Sequence, residues 1–200
     1  MNYSNIKKFD CANGSGVRVS LFVSGCHMNP KCKGCFNSVA WDFNYGQKFT
    51  DETMDYLIEL LSNKHIRGLS ILGGDPLAPQ NISTVLYIVL NVREKFPDKD
   101  IWLWTGENFS DLYMLLYLYQ KRMLNFDNLE YVINLRMLLY NIDVITTGRF
   151  IEDKKDLTRK WSGSSNQYTL RSSVFEDLNL NIDDDENIII PKKYILEDGD

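Results

Sequence analysis

Val17-Arg18-Val19-Ser20-Leu21-Phe22-Val23 runs directly into Ser24-Gly25-Cys26-His27-Met28-Asn29-Pro30-Lys31-Cys32-Lys33-Gly34-Cys35. Val17, Val19, Leu21 and Val23 alternate, and Phe22 adds apolar character to the other face, so 17–23 reads as a largely buried first strand. Three of the chain's four cysteines follow within ten residues, and Cys11 stands upstream. Three thiols on one short loop form a metal-ligand pattern, and an odd number leaves a coordination position for something other than protein.

Outward from this loop the same grammar repeats. Thr50-Asp51-Glu52 starts a helix whose apolar side carries Met54, Leu57, Ile58 and Leu61. Gly68-Leu69-Ser70-Ile71-Leu72 is a short strand ending at Gly73-Gly74-Asp75-Pro76. Val85, Ile88, Val89, Val92 and Phe96 mark a second helix closed by Pro97. Ile101-Trp102-Leu103-Trp104 is a third strand, ending at Thr105-Gly106. Helical spacing resumes across 109–123 and 128–140, and Ile142-Asp143-Val144-Ile145-Thr146 is a fourth strand. Strands alternating with helices predict an α/β fold with a parallel sheet. In such folds the loops after the strands gather on one edge, so the cysteine loop, the Gly-Gly-Asp-Pro turn and the Thr-Gly turn should open together. Ile188-Ile189-Ile190-Pro191 has the character of an edge strand, and Glu197-Asp198-Gly199-Asp200 reads as a frayed end.

Bulk properties narrow the function classes. A net charge of -5 and a pI near 5.1 argue against a direct nucleic-acid binder, which would show a basic face. No apolar run reaches membrane-spanning length, and Met1–Lys8 lacks a signal peptide's apolar core. A reducing cytoplasm fits, and there clustered cysteines are more often metal-binding or catalytic than disulfide-bonded.

On spacing alone the loop admits two readings. A structural zinc site would recruit Cys11 or His27 as fourth ligand, although only Cys32 and Cys35 form a Cys-x-x-Cys pair. An iron–sulfur cluster on three thiolates leaves one iron for an exogenous ligand. Gly73-Gly74 lets backbone approach a ligand closely. The plain alternative is an ordinary strand-to-helix turn with Asp75 capping the helix. Phe36 offers either an apolar face to a base or a core side chain. Cys11 reads as a buried apolar residue, and His27 and His65 carry no catalytic pattern.

Further motifs give the chain a family resemblance. Asn13-Gly14-Ser15-Gly16, Leu21–Cys26, Gly34-Cys35-Phe36-Asn37, Leu72-Gly73-Gly74-Asp75-Pro76-Leu77, Pro79-Gln80-Asn81, Asp100–Gly106, Thr147-Gly148-Arg149-Phe150 and Trp161–Gln167 keep their order and spacing over residues 1–167. Together they resemble the radical S-adenosylmethionine activating enzymes, and within them the family that activates anaerobic ribonucleoside-triphosphate reductase. Three positions depart from the family pattern. The cysteines are spaced Cys-x5-Cys-x2-Cys rather than Cys-x3-Cys-x2-Cys, Ser15 stands where Pro is common, and Leu72 stands where Ser is common.

The resemblance implies a [4Fe-4S] cluster on Cys26, Cys32 and Cys35, with S-adenosylmethionine on the fourth iron. Reduction would cleave that cofactor to methionine and a 5'-deoxyadenosyl radical. Gly73, Gly74 and Asp75 would meet its methionyl end. Gly34, Cys35 and Phe36 would lie near the adenosine, and Thr105 and Gly106 would edge the same pocket. No catalytic side chain is implied beyond the ligands. The implied partners are the reductase's large subunit and an electron donor such as flavodoxin or ferredoxin. The rival enzyme readings are an activase of another glycyl-radical enzyme and a radical enzyme with a small-molecule substrate. A full eight-fold barrel needs about 250 residues, so the resemblance and the chain length together predict a partial TIM-type β/α barrel. The expected division is an activase domain over 1–167 and a partly acidic C-terminal extension over 168–200.

Overall fold

The computed structural model describes residues 1–123, 129–177, 179–183 and 187–196. Seven strands form one sheet: β1 (Asn2–Asp10), β2 (Arg18–Val23), β3 (Gln47–Lys48), β4 (Gly68–Gly73), β5 (Asp100–Trp104), β6 (Val144–Thr147) and β7 (Tyr168–Arg171). Their spatial order is β3-β1-β2-β4-β5-β6-β7. The four helices are α1 (Asp51–Leu61), α2 (Ile82–Lys95), α3 (Phe109–Gln120) and α4 (Leu129–Tyr140). Residue 128, the acidic positions 184–186 and the end 197–200 lie outside the described residues.

The parallel expectation holds for the middle of the sheet. β2, β4, β5 and β6 pair in parallel, and β4, β5 and β6 are each reached through helical segments. The outer strands differ. β1 pairs antiparallel with β2 because the short 11–17 turn joins them as a hairpin, and β3 and β7 are also antiparallel. Ile188–Ile190 forms no strand; Ile188 makes only an isolated bridge to Ile182. Ile188 and Ile190 pack on the core instead, while Ile189 stays exposed.

Helix α1 starts where Thr50 caps it: Thr50 Oγ1 accepts from Thr53 N, and Thr53 Oγ1 accepts from Thr50 N. Its buried Met54, Leu57 and Leu61 join Val85, Ile88 and Val92 of α2 and Leu135 and Leu139 of α4 in one core. The sheet supplies Val19, Leu21, Val23, Leu69, Ile71, Ile101, Leu103 and Ile145 to that same core. Each such apolar side chain contributes about 1.5–3 kcal/mol on burial.

Side chains alternate across a strand, so Arg18, Ser20, Ser70, Leu72, Trp102, Trp104 and Thr146 occupy the opposite face. Helices coat one face, while the other is polar and aromatic and is covered by loops. Arg18 is wholly buried there. It pairs with Asp100, donates from Nε to Ser70 Oγ at 2.7 Å and from Nη2 to Leu69 O at 2.8 Å, and lies 5.2 Å from the Trp102 ring. Burial lowers its pKa and the Asp100 carboxylate opposes that shift. One guanidinium thus ties β2, β4 and β5 together at their starting ends.

Candidate active site

The four parallel strands end on one edge, and the residues after them meet there. Cys26 follows β2, Gly74 and Asp75 follow β4, Thr105 and Gly106 follow β5, and Gly148 follows β6. With Cys32, Gly34, Cys35, Phe36 and Gly73 they line a single cavity of about 480 Å³. Every residue expected at the site from the sequence is therefore part of one wall or another.

All three loop thiols are free; Cys26 is buried, and Cys32 and Cys35 are half-buried. Burial pushes the Cys26 thiol up from its ordinary pKa, against a lowering contribution from a backbone bond at Met28. Cys11 corrects an expectation: it is exposed, at the hairpin turn after β1, and does not line the cavity. Among the described residues no three His, Cys, Asp or Glu side chains converge as ligands of a single ion. A mononuclear zinc site draws its ligands to about 2.0–2.3 Å from one ion. Cys26, Cys32 and Cys35 are free and line one cavity, a donor set that would suit a cluster held by three thiolates.

The Gly73-Gly74 turn is fixed by close packing. Gly73 has φ +122°, and a Cβ on Gly74 would sit 2.2 Å from Gly25 O. The backbone of the turn is thereby pressed against the residue preceding Cys26. Asp75 is fully buried and holds the turns together. Its carboxylate accepts from Leu77 N at 2.9 Å, Thr105 Oγ1 at 2.9 Å and Gly106 N at 3.1 Å. Burial raises its pKa and these donors oppose the rise. Helix α2 begins at Ile82, after Asn81, so Asp75 does not cap it. Asn81 instead donates its side-chain amide to Ser24 O at 3.0 Å and Asp75 O at 2.9 Å. Phe36 is 81% exposed at the cavity rim, which rules out a core-packing role.

Several further contributors have roles that the sequence does not assign. His27 Nε2 lies 2.6 Å from Glu107 Oε1, and that hydrogen bond raises the His27 pKa. Phe150, Leu157, Trp161, Ser162, Gly163 and Gln167 form the wall facing the cysteines. Gln167 pins this wall: its Oε1 accepts from Gly163 N at 2.8 Å and its Nε2 donates to Gly148 O at 2.8 Å. Trp104 Nε1 donates to Trp161 O at 2.8 Å. The Trp161–Gln167 motif was visible in the sequence, but its partners lie too far along the chain for spacing to reveal them.

Residues 12–170 match the family model for a 4Fe-4S single cluster domain. The chain is similar to the anaerobic ribonucleoside-triphosphate reductase-activating protein of Vibrio cholerae serotype O1, 40% identical over 176 residues, covering 87% of this chain and 100% of that one. The protein of the same name from Enterobacteria phage T4 is 42% identical over 168 residues, covering 84% and 92%. That from Escherichia coli K12 is 40% identical over 169 residues, covering 84% and 96%. No solved structure matches the chain. With relatives of this identity covering 84–87% of the chain and the family model spanning residues 12–170, the chain belongs to the family of anaerobic ribonucleoside-triphosphate reductase-activating proteins.

Proposed function

We propose that the chain is a radical S-adenosylmethionine enzyme that installs a glycyl radical on an anaerobic ribonucleoside-triphosphate reductase. One observation carries this reading: the three loop thiols and the Gly73-Gly74-Asp75 turn line the same cavity at the ends of the parallel strands. Cys26, Cys32 and Cys35 would hold the [4Fe-4S] cluster. The half-buried backbone of Gly73-Gly74 at the cavity wall would meet the methionyl end of S-adenosylmethionine, Gly34 and Phe36 its adenosine, and Thr105 and Gly106 the pocket edge. When bound, the two cofactors supply one-electron cleavage and a species that abstracts hydrogen.

The chain's own residues then bind, orient and exclude water. Met28, Trp41, Leu72, Phe150 and Trp161 give the cavity apolar walls. Such walls suit hydrogen-atom abstraction, which transfers no bare proton and so asks for no general acid–base pair. Phe36 and Leu157, 81% and 80% exposed, stand at the cavity rim, where a glycine-bearing loop of another protein would enter.

The one-sided helical coat supports reading the sheet as an incomplete β/α barrel whose concave face holds the cofactors. We read the segment after residue 167 as an extension packed on the 1–167 activase unit: β7 pairs with β6 through Arg171–Val144 and Leu170–Ile145, and Val174 and Phe175 join the common core. The electron would come from a small carrier such as flavodoxin or ferredoxin. Among the described residues no helix is long and apolar enough to cross a membrane. Free cysteines at the site suit a reducing cytoplasm.

The test is anaerobic reconstitution with iron and sulfide, then dithionite and S-adenosylmethionine, with 5'-deoxyadenosine quantified. Product from the parent and none from Cys32→Ala supports the reading. A verified cluster that yields no product, with or without reductase, overturns it.

A further inference from the structure

The segment between Cys26 and Cys32 contains five residues, and contacts hold it at both ends and in the middle. His27 meets Glu107 at 2.6 Å. Met28 is buried with its side chain over Gly106, where an added Cβ would lie 3.1 Å from Met28 Cγ. The Arg149 guanidinium donates to the carbonyls of Asn29, at 3.5 Å, and Pro30. Lys31 Nζ reaches back to Cys26 O.

The two outside partners are themselves anchored to the loops at the strand ends. Glu107 N donates to Thr105 Oγ1 at 3.1 Å, and Glu107 O accepts from Gly148 N at 2.7 Å. Arg149 O accepts from Asn166 Nδ2 at 2.8 Å. Neither Glu107 nor Arg149 lines the cavity. A longer loop has more conformations to lose when its ends and its thiols must take fixed places. Contacts that remove those conformations beforehand make metal binding easier, as outer-sphere partners do at other metal sites.

We propose that Glu107 and Arg149 are positioning residues that clamp the lengthened Cys26–Cys32 segment, so that the three thiols are already arrayed for a cluster. This rests on the cluster reading given above. The clamp explains how a chain with Cys-x5-Cys spacing presents the same ligand set as one with Cys-x3-Cys.

The test compares the parent, Arg149→Ala, Arg149→Lys and Glu107→Ala, each also in a chain shortened by deletion of Asn29 and Pro30. Two readouts are taken besides activity. One is the rate of tryptic cleavage after Lys31 and Lys33 in the metal-free, reduced protein. The other is the half-life of the reconstituted cluster's visible absorbance in the presence of an iron chelator. Arg149→Ala and Glu107→Ala should speed loop cleavage and shorten cluster half-life by about tenfold. Arg149→Lys should restore part of both, and urea midpoints should show that the fold persists. In the shortened chain Arg149→Ala should change neither readout.

Parent-like cleavage and retention in Arg149→Ala would overturn the clamp, as would an equal loss in the long and shortened loops. A parent that takes up no cluster, while Arg149→Ala still speeds cleavage, would instead overturn the cluster purpose assigned to it.

Discussion

Gly74 has no room to be anything else: the position a Cβ would take is 2.2 Å from Gly25 O and 2.8 Å from Ala40 O, both backbone atoms that cannot step aside. Gly74→Ala should therefore cost about 2 kcal/mol, the ordinary scale of overpacking, and displace the strand end that leads to Cys26. The atoms nearest to an added Cβ at Gly106 are those of Met28's flexible side chain, at 3.1–3.3 Å, so Gly106→Ala should cost clearly less. Urea unfolding of the metal-free variants checks the order, and equal costs would contradict this account of the turn. Asp10 gives a pH prediction. Burial raises its pKa, but donation from Ala12 N, from Asn13 Nδ2 and from the Ser20 side chain, together with nearby Lys7, outweighs that and leaves it below its ordinary value. Its folded pKa is the lower one, so its contribution is present above about pH 4 and lost as pH falls through the folded value. Between pH 5 and pH 3 the urea midpoint should fall less in Asp10→Asn than in the parent. At this scale the three cysteines and Gly73-Gly74 were legible because their signal is local. The contacts of Glu107 and of Arg149, which stands in the Thr147–Phe150 motif, were not, since they reach His27 and Pro30 across 80 and 119 positions, which leaves no periodicity to read.

Among the elements, the wall over residues 148–167 carries the sharpest expectation. Gln167 Oε1 accepts from both Gly163 N and Ser164 N, and its Nε2 holds Gly148 O. Gln167→Ala leaves these groups without their partner, at about 1–3 kcal/mol. It should also free the segment enough to speed tryptic cleavage after Arg159 and Lys160; unchanged cleavage would mean that the wall is held elsewhere. The four helices and the central strands follow from apolar period, because each buries a continuous stripe or face. β1 was missed because most of its residues stay partly exposed, which blurs alternation. β3 is only two residues long, and β7 only four. Ile188–Ile190 misled in the other direction: three β-branched residues have strand propensity, yet a ladder also needs a partner edge, and only one bridge forms.

As a whole the molecule is an asymmetric sheet. Helices cover one face with a continuous apolar core, while Arg18, Trp102, Trp104 and the loops cover the other. The starting ends of the central strands are closed by ion pairs, Arg18 and Arg67 on Asp100 and Arg93 on Asp143. The finishing ends are open and carry the thiols. This division sets the ion-paired strand ends behind the site and leaves the cavity on the opposite edge. The parallel core was readable from the alternation of strands and helices; the antiparallel flanks depend on hairpin returns that carry little pattern of their own. The most direct measurement is electron paramagnetic resonance of the anaerobic ribonucleoside-triphosphate reductase after anaerobic incubation with this reconstituted protein, reductant and S-adenosylmethionine. The account predicts a stable glycyl radical on the reductase, with its hydrogen splitting lost when the glycine is deuterated, and no signal with Cys32→Ala. Formation of 5'-deoxyadenosine with no radical on the reductase would contradict it.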